Sequence, residues 1–386
     1  MVSKMKEDLK PSPTKITYYS IMSNSIKPIA IYLPQFHPFT ENDEWWGKGF
    51  TEWRNVTKSA PKFKGHYQPH LPSDLGFYDL RLEETFIQQA QLAKEYGIYG
   101  FCYYHYWFSG KLLMEKPLEM MLASKKIDMP FCLCWANENW TRIWDGSEKS
   151  VLIAQDYDVE DDRQHIQYLI PFFKDERYIK IDGCPVLTMY RSELNPNISE
   201  ATQLWREEVQ KAGFKDLYLI RMESFEKNIS PETHGFNAAM EFAPDFGSMT
   251  KKILKRNPIV YFLKKILHKT GLKANAHFTN RIHSYDELIE KMMAKPMKPY
   301  KQFRCVTPSW DNSARRTTGA TIFHESTPEK FGKWVSFVSD FTDRNFKGDE
   351  RIFFINAWNE WAEGNHMEPD LKHGRAYLEA FRKNKL

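Results

Sequence analysis

The sequence lacks any apolar run that could cross a membrane. None of its segments approaches the eighteen or more apolar residues that a transmembrane helix needs. The N-terminal residues 1–27 are polar and contain no apolar core of a secretion signal, so we expect a flexible lead-in there and not a signal peptide. These two absences predict a cytoplasmic protein.

Cysteine is also sparse. The chain has five cysteines, which form no CxxC pair and mostly lie within apolar runs: Cys102, Cys132, Cys134, Cys184 and Cys305. An odd number with this placement is typical of reduced, buried thiols and argues against a disulfide scaffold. Cysteine usage therefore also favours the cytoplasm.

Common cofactor motifs are missing as well. There is no HExxH pair of histidines for zinc, no P-loop and no GxGxxG turn, so we expect neither a metal nor a cofactor. One segment, Asp156-Tyr157-Asp158, imitates the DxD with which many glycosyltransferases hold a metal and a nucleotide sugar. The same acidic residues also suit the N-terminus of a helix starting near residue 159, because carboxylates stabilise the positive end of a helix.

The positive charge is concentrated in one segment. Residues 251–273 contain eight lysines and arginines and no acidic residue, so the rest of the chain carries −4 against +4 for the whole. Basic residues mixed with apolar ones suit either peripheral contact with an anionic membrane or an insertion that covers the fold with a solvated basic face. An acidic remainder argues against nucleic acid as a partner.

Eight apolar runs alternate with segments of helical periodicity. We expect strands at 28–37, 98–108, 130–140, 185–190, 217–222, 238–242, 303–308 and 352–355, and helices at 81–96, 115–126, 159–174, 199–212, 328–343 and 371–384. This order predicts one (β/α)8 TIM barrel over residues 28–386, with long aromatic βα loops and a basic insertion at about 246–300, between strands six and seven. A doubly wound sheet is the alternative, but it would concentrate functional residues at one or two switch points.

Polar and aromatic side chains follow nearly every predicted strand. Since chemistry in such barrels lies at the carboxyl ends of the strands, we expect these residues to contact a substrate: Gln35, His37, Tyr104, His105, Trp107, Trp135, Asn137, Glu138, Trp310, Asn359 and Trp361. Amides and carboxylates hydrogen-bond vicinal hydroxyls, and tryptophan faces stack on sugars. A helix cap after strand three and a purely structural His105 are the competing interpretations.

Glu360 and Glu363 are the expected catalytic pair. They lie in Trp358-Asn359-Glu360-Trp361-Ala362-Glu363-Gly364, directly after the last predicted strand. Glycoside chemistry needs two carboxyl groups beside the anomeric carbon, one to move protons and one to act as base or nucleophile. Two solvated glutamates in a loop would be the alternative, and the flanking tryptophans and amide argue against it.

Several segments resemble the WbsX family, whose members usually occur in gene sets for O-antigen, capsule and other surface polysaccharides and are often labelled glycosyltransferases. The resemblance runs from about residue 28 to 370 and is carried by 28–37 (PIAIYLPQFH), 42–47 (NDEWWG), 49–53 (GFTEW), 65–70 (GHYQPH), 135–140 (WANENW) and 358–364 (WNEWAEG). It implies a glycan-active protein with an oligosaccharide or polysaccharide partner, including lipid-linked glycans.

That family is in turn similar to glycoside hydrolase family 99, retaining endo-acting α-mannosidases built on a (β/α)8 barrel. The similarity implies that Glu360 deprotonates the sugar 2-hydroxyl, whose oxygen attacks the anomeric carbon to give a 1,2-anhydro sugar. It implies that Glu363 protonates the leaving oxygen and then activates water or an acceptor hydroxyl. This differs from the usual retaining scheme, in which a carboxylate is the nucleophile.

Three functions follow from the sequence. The first is a retaining enzyme that cleaves or transfers α-linked glycosyl units in bacterial surface-polysaccharide metabolism. The second is a nucleotide-sugar-dependent glycosyltransferase of the same pathway, with Asp156 and Asp158 near a metal. The third is a glycan-binding module without turnover, against which the intact carboxylate pair argues. If the basic segment 251–273 binds lipid, the protein acts at the inner face of the membrane.

Overall fold

Eight parallel strands close into a barrel. They are β1 (Lys27–Tyr32), β2 (Gly100–Phe108), β3 (Phe131–Trp135), β4 (Cys184–Met189), β5 (Tyr218–Glu223), β6 (Ala238–Glu241), β7 (Gln302–Phe303 and Cys305–Val306) and β8 (Ile352–Ile355). Each strand pairs in parallel with the next, the two halves of β7 pair with β6 and β8 respectively, and β8 pairs with β1. The fold is therefore the predicted (β/α)8 barrel.

The computed structural model describes residues 25–142, 147–248 and 276–386, with a few positions between 252 and 266. Most of the predicted lead-in and most of the basic segment 251–273 lie outside the described residues. Within the described parts of the chain, no helix combines the length and the apolar character needed to cross a bilayer.

Helices cover the outside of the barrel. They are α1 (Glu83–Glu95), α2 (Glu115–Ala123), α3 (Val159–Phe173), α4 (Ile198–Lys211), α5 (Tyr285–Met293), α6 (Pro328–Asn345) and α7 (Ala376–Asn384). The side chains of Asp158, Ser284 and Thr327 cap α3, α5 and α6 by accepting from otherwise unpaired backbone N–H groups. After β5 there is only a short 3-10 turn, Pro231–His234.

Two predicted strands extend too far. The first ends at Tyr32 and not at His37, because Pro34 has no N–H to continue the ladder. The third ends at Trp135 and not at residue 140, since the backbone N–H of Arg191 donates to the Asn137 side chain and holds that residue in the turn that follows.

The sequence interpretation also missed several elements. Residues 38–80, for which no element is expected, contain two short helices, Thr40–Trp46 and Glu52–Lys58. Helix α5 and the strand Arg281–Ser284 lie within the stretch expected to be an insertion. That strand forms a second sheet with Thr321–His324 and Trp310–Asp311, placed over one side of the barrel mouth.

The remaining short elements pair locally. The short strands Lys111–Leu113 and Lys180–Ile181 pair with β2 and β4, and two ribbons form from Trp140–Arg142 with Ser147–Ile153 and from Asn359–Glu360 with Asn365–His366. A one-turn helix spans Ala276–Thr279. The core fills the barrel and the space beneath its helices, and all five cysteines are buried and free within it, as predicted.

Candidate active site

A cavity of about 600 Å³ opens at the carboxyl end of the barrel. It is lined by residues that lie within β2 or follow the other seven strands, and these include residues of the second sheet. Its walls are largely aromatic, from Tyr104, Tyr106, Trp140, Tyr190, Phe225, Phe242, Phe246 and Trp310, and its polar groups are Gln35, Glu138, Asn139, Thr141, Arg281, Asn312, Arg315, Arg316, Thr321, Asn356, Glu360 and Glu363. A concave, mainly apolar site with a few convergent polar groups is typical of ligand binding.

One arginine joins both predicted catalytic carboxylates at this cavity. Arg315 Nη2 lies 3.1 Å from Glu360 Oε2, and Arg315 Nη1 lies 2.5 Å from Glu363 Oε1. The same guanidinium donates from Nη2 and Nε to Oε2 of Glu52, at 3.0 and 3.1 Å. Glu52 is fully buried and also accepts from the Asn55 side chain. Three carboxylates therefore share one planar donor, which fixes the separation of the catalytic pair.

Burial controls the protonation of the pair. It raises the pKa of Glu360 to about 8, an effect that the Arg315 guanidinium opposes and that the neighbouring Glu363 and Glu52 reinforce. Burial likewise raises the pKa of Glu363, again opposed by Arg315. Carboxyl groups with raised pKa values can keep a proton near neutral pH, and acid–base catalysis requires one protonated and one ionised member.

The local chain geometry holds Glu360 in place. It belongs to the two-stranded ribbon of Asn359–Glu360 and Asn365–His366, in which Glu360 pairs with Asn365. Asn359 accepts from the Leu33 N–H at 2.7 Å and donates to the Leu33 carbonyl at 3.0 Å, so the ribbon is tied to the end of β1. Gly364 has φ = +54°, and a Cβ there would lie 3.1 Å from Asp311 Cβ, so glycine suits this turn on both counts.

Six of the predicted site residues meet at the cavity. They are Gln35, Tyr104, Glu138, Trp310, Glu360 and Glu363. The Nε2 group of Gln35 is buried and makes no hydrogen bond to the described residues, and the same holds for the indole Nε1 of Trp310. Glu138 accepts from Arg191 Nη1 at 2.5 Å. Gln35 and Trp310 thus offer donors to a ligand.

Seven predicted residues do not line the cavity: His37, His105, Trp107, Trp135, Asn137, Asn359 and Trp361. Successive side chains of a strand point to opposite faces, so Tyr104 and Tyr106 reach the cavity while His105 and Trp107 face α3. His105 Nε2 lies 3.0 Å from His165 Nε2, and Trp107 Nε1 donates to Asp161 Oδ1 at 2.9 Å.

The other five of these residues have structural contacts or are buried away from the cavity. His37 is fully buried, and burial lowers its pKa to about 4. Trp135 packs edge-on against Trp205 and His165 and donates to the Trp107 carbonyl. Asn137 hydrogen-bonds to the Arg191 backbone and to Tyr157. Asn359 accepts from the Leu33 N–H at the end of β1, and Trp361 donates to Glu368 at 2.6 Å. These contacts account for polar groups that sequence position alone assigned to a sugar.

Sequence reasoning missed Arg315 and Glu52 as site residues. Glu52 lies in the segment 49–53 that carried the family resemblance, so a signal was present for it. Arg315 lies in the loop after β7, beyond the residues expected to follow that strand, and belongs to no recognised motif, so nothing in its neighbourhood distinguished it. Asp156 and Asp158, which follow β3, do not line the cavity. Asp158 Oδ1 accepts from the N–H groups of Glu160 and Asp161 and caps α3.

Solved structures share this architecture. A protein described as glycoside hydrolase-like aligns with a TM-score of 0.58 at 13% identity, covering 94% of this chain and 95% of its own. The GH99 endo-α-mannosidase of Bacteroides thetaiotaomicron aligns with a TM-score of 0.53 at 13% identity, covering 92% and 95%. The chain therefore has the barrel fold found in GH99 enzymes.

The sequence matches place the chain in a family. The family described as glycosyltransferase WbsX matches residues 28–381, and this chain belongs to that family. A protein named WxcX of Xanthomonas campestris pv. campestris, described as uncharacterized, is 40% identical over 354 residues, which are 92% of this chain and 49% of that protein. The chain thus spans about half the length of the curated relatives that it matches. Family and fold together support a carbohydrate-active enzyme.

Proposed function

We propose that residues 28–386 form one catalytic domain, a retaining enzyme that cleaves or transfers α-linked glycosyl units. Glu360 and Glu363 are its catalytic residues, and bacterial surface polysaccharide is its substrate class. The proposal rests chiefly on one observation: a single guanidinium, that of Arg315, contacts both carboxylates at the edge of an aromatic cavity.

The chemistry divides between the two carboxylates. Glu360 removes the proton of the sugar 2-hydroxyl while the oxygen of that hydroxyl attacks the anomeric carbon. Glu363 protonates the departing glycosidic oxygen. The resulting 1,2-anhydro sugar is then opened by water or by an acceptor hydroxyl that Glu363 deprotonates, while Glu360 returns the proton to the 2-oxygen. Two displacements at the anomeric carbon retain its configuration. Arg315 disperses the negative charge of whichever carboxylate is ionised.

The cavity supports a glycan as the ligand. Its aromatic walls offer faces for the apolar sides of sugar rings, and Gln35, Glu138 and Asn312 place polar groups among them. In this proposal the substrate is an oligosaccharide or polysaccharide, including a lipid-linked one, in O-antigen or capsule metabolism. The protein then works in the cytoplasm, at the inner membrane face if the segment 251–273 contacts lipid.

A nucleotide-sugar-dependent glycosyltransferase is the second candidate, because the family carries that description. It would bind a sugar nucleotide with Mn²⁺ or Mg²⁺ near Asp156 and Asp158. The cap formed by Asp158 already employs one of these carboxylates. The two candidates therefore predict different ligands and different sensitive residues.

A calorimetric titration separates them. UDP-, GDP- and dTDP-sugars, with and without Mn²⁺, are compared with a panel of α-linked oligosaccharides on wild-type protein, Glu363→Gln and Asp156→Ala. We expect oligosaccharide binding that Asp156→Ala leaves intact and Glu363→Gln retains while turnover stops. Saturable, Mn²⁺-dependent nucleotide-sugar binding that Asp156→Ala abolishes would establish the glycosyltransferase instead.

A further inference from the structure

We propose that His70, His366 and Asp370 form a binding site for a divalent transition-metal ion such as Zn²⁺. All three side chains are buried, and one ligand atom from each lies within 4.8 Å of the other two. None of them lines the cavity, so the site is separate from the proposed catalytic one. No sequence motif indicates it, because His70 lies 296 residues before His366 and the spacing of His366 and Asp370 matches no common metal motif.

The distances suit a four-coordinate ion. His70 Nδ1 lies 2.9 Å from His366 Nε2, and His366 Nε2 lies 3.9 Å from Asp370 Oδ2. Zinc–nitrogen and zinc–oxygen bonds of about 2.0–2.2 Å in tetrahedral geometry place ligand atoms roughly 3.3–3.5 Å apart. These two separations bracket that value, and all three ligand atoms lie within 4.8 Å of one another, so side-chain movements of roughly one ångström would complete the site. Three protein ligands leave a fourth position for water.

The tautomer of His366 is already set for coordination. Its Nδ1 lies 2.8 Å from the Glu368 carbonyl oxygen, which can only accept, so Nδ1 carries the proton and Nε2 of the neutral ring carries the lone pair. A backbone carbonyl that accepts from the second ring nitrogen is the usual support of a metal-bound histidine. Metal binding would require the proton that His70 Nδ1 now donates to His366 Nε2 to move to His70 Nε2, which frees both facing nitrogen atoms for the ion.

Asp370 supplies an oriented negative charge. Its Oδ1 accepts from the N–H groups of Lys372 and His373 at 2.9 and 2.6 Å, which leaves Oδ2 toward the histidines. The carboxylate is 3% exposed, and among the described residues its ion pairs include no lysine or arginine. A buried carboxylate is stabilised by a counter-charge, and a divalent ion between these three ligands would provide it.

The site would brace the catalytic ribbon. His366 pairs directly with Asn359 in the ribbon that presents Glu360, and the Trp361 indole stacks on the His366 ring at 3.8 Å. His70 lies on the long loop after β1, which also carries Glu52. A bound ion would therefore join the two chain segments that supply carboxylates to Arg315.

Metal content of the full chain tests the proposal. Protein stripped with a chelator is titrated with ZnCl₂ by calorimetry, and the bound metal is counted by mass spectrometry. We expect one equivalent of Zn²⁺ and a rise in Tm of about 3–5 °C at roughly one hundred times Kd. Asp370→Asn and His366→Gln should each weaken binding more than about tenfold.

His105→Gln is the matched control, because His105 and His165 form a second buried histidine pair, with Nε2 atoms 3.0 Å apart, that belongs to no group of three metal-ligating side chains among the described residues. The His105→Gln variant should still bind one equivalent of Zn²⁺. Binding that survives Asp370→Asn and His366→Gln would show adventitious metal only and overturn the site. If those variants do not fold, Co²⁺ is added to the wild-type protein: visible d–d bands of a four-coordinate nitrogen–oxygen site support the proposal, and their absence overturns it.

Discussion

Arg315 Nη2 lies 3.0 Å from Glu52 Oε2, although 263 residues separate the two side chains along the sequence. Glu52 belongs to a short helix in the loop after β1. Arg315 ends the turn that connects the strands Trp310–Asp311 and Thr321–His324 of the second sheet. Their ion pair is almost wholly shielded from water, with side-chain exposures of 12% for Arg315 and 0% for Glu52. The proposed catalytic carboxylates, Glu360 and Glu363, are therefore positioned by two loops that the barrel alone does not bring together.

Removing the guanidinium should destabilise the fold. Arg315→Met leaves three buried carboxylates without their shared cation, and breaking a buried pair in this way costs about 3–5 kcal/mol. The free energy of unfolding in urea measures the loss. Arg344→Met serves as the control, because Arg344 forms an exposed pair with Asp340 on α6 and should cost at most about 1 kcal/mol.

The double variant Glu52→Gln/Arg315→Met refines this test. Neutralising Glu52 removes one of the stranded charges, so the double variant should be more stable than Arg315→Met alone. Equal stability of the two would contradict a contribution of the Glu52 charge to the loss.

Both catalytic carboxylates should be essential for turnover. Glu360→Gln and Glu363→Gln keep the shape of the side chains but remove the acid–base function, which contributes roughly 10²–10⁴-fold to the rate. We expect kcat to fall by at least that factor while circular dichroism and Tm remain close to wild type. Full activity in both variants would contradict the assignment.

The pH profile should reflect the raised pKa of Glu360. Because Glu360 acts as a base, it must be ionised, so kcat/KM should rise with pH through a value well above that of an ordinary glutamate and near 8. Arg315 opposes the upward shift, so removing it in Arg315→Met should move this rising limb to still higher pH. A limb near pH 4.5 in both proteins would exclude Glu360 as the titrating group.

Only substitutions of tryptophans that line the cavity should lower the affinity for an oligosaccharide. Trp310 lines the cavity, so Trp310→Ala should weaken oligosaccharide binding about tenfold, which corresponds to roughly 1.4 kcal/mol of stacking. Trp135 is buried beneath the cavity floor against Trp205, so Trp135→Phe should leave the affinity unchanged. Calorimetry on both variants distinguishes the two; equal losses would contradict this placement.

Substitution of Asn359 should lower the free energy of unfolding. Its side chain accepts from and donates to the Leu33 backbone, so Asn359→Ala leaves two buried backbone groups without partners and should cost about 1–3 kcal/mol. Asn345→Ala is the control, since that exposed side chain bonds only to the carbonyl one turn earlier, and its effect should stay within about 0.5 kcal/mol. Chemical denaturation measures both.

The fold and the catalytic pair could be predicted from local sequence. Apolar runs such as Ile352–Ile355 bury every side chain in a parallel sheet, and helical periodicity between such runs requires crossovers, so the barrel follows from burial and chain order. Glu360 and Glu363 follow the last strand, at the end of the barrel where chemistry is expected. The barrel and the position of these two carboxylates at its cavity were thus determined by the sequence.

Which side chains face the ligand was decided only by the tertiary structure. His105 and Trp135 stand at strand ends like Tyr104 and Glu138, yet strand alternation and the packing of α3 and α4 turn them into the core. The contact between Arg315 and Glu52 depends on where two long loops cross, which no local pattern encodes. A periodic signal reports which face of an element is buried, whereas the choice of partner across the chain depends on how all the elements pack.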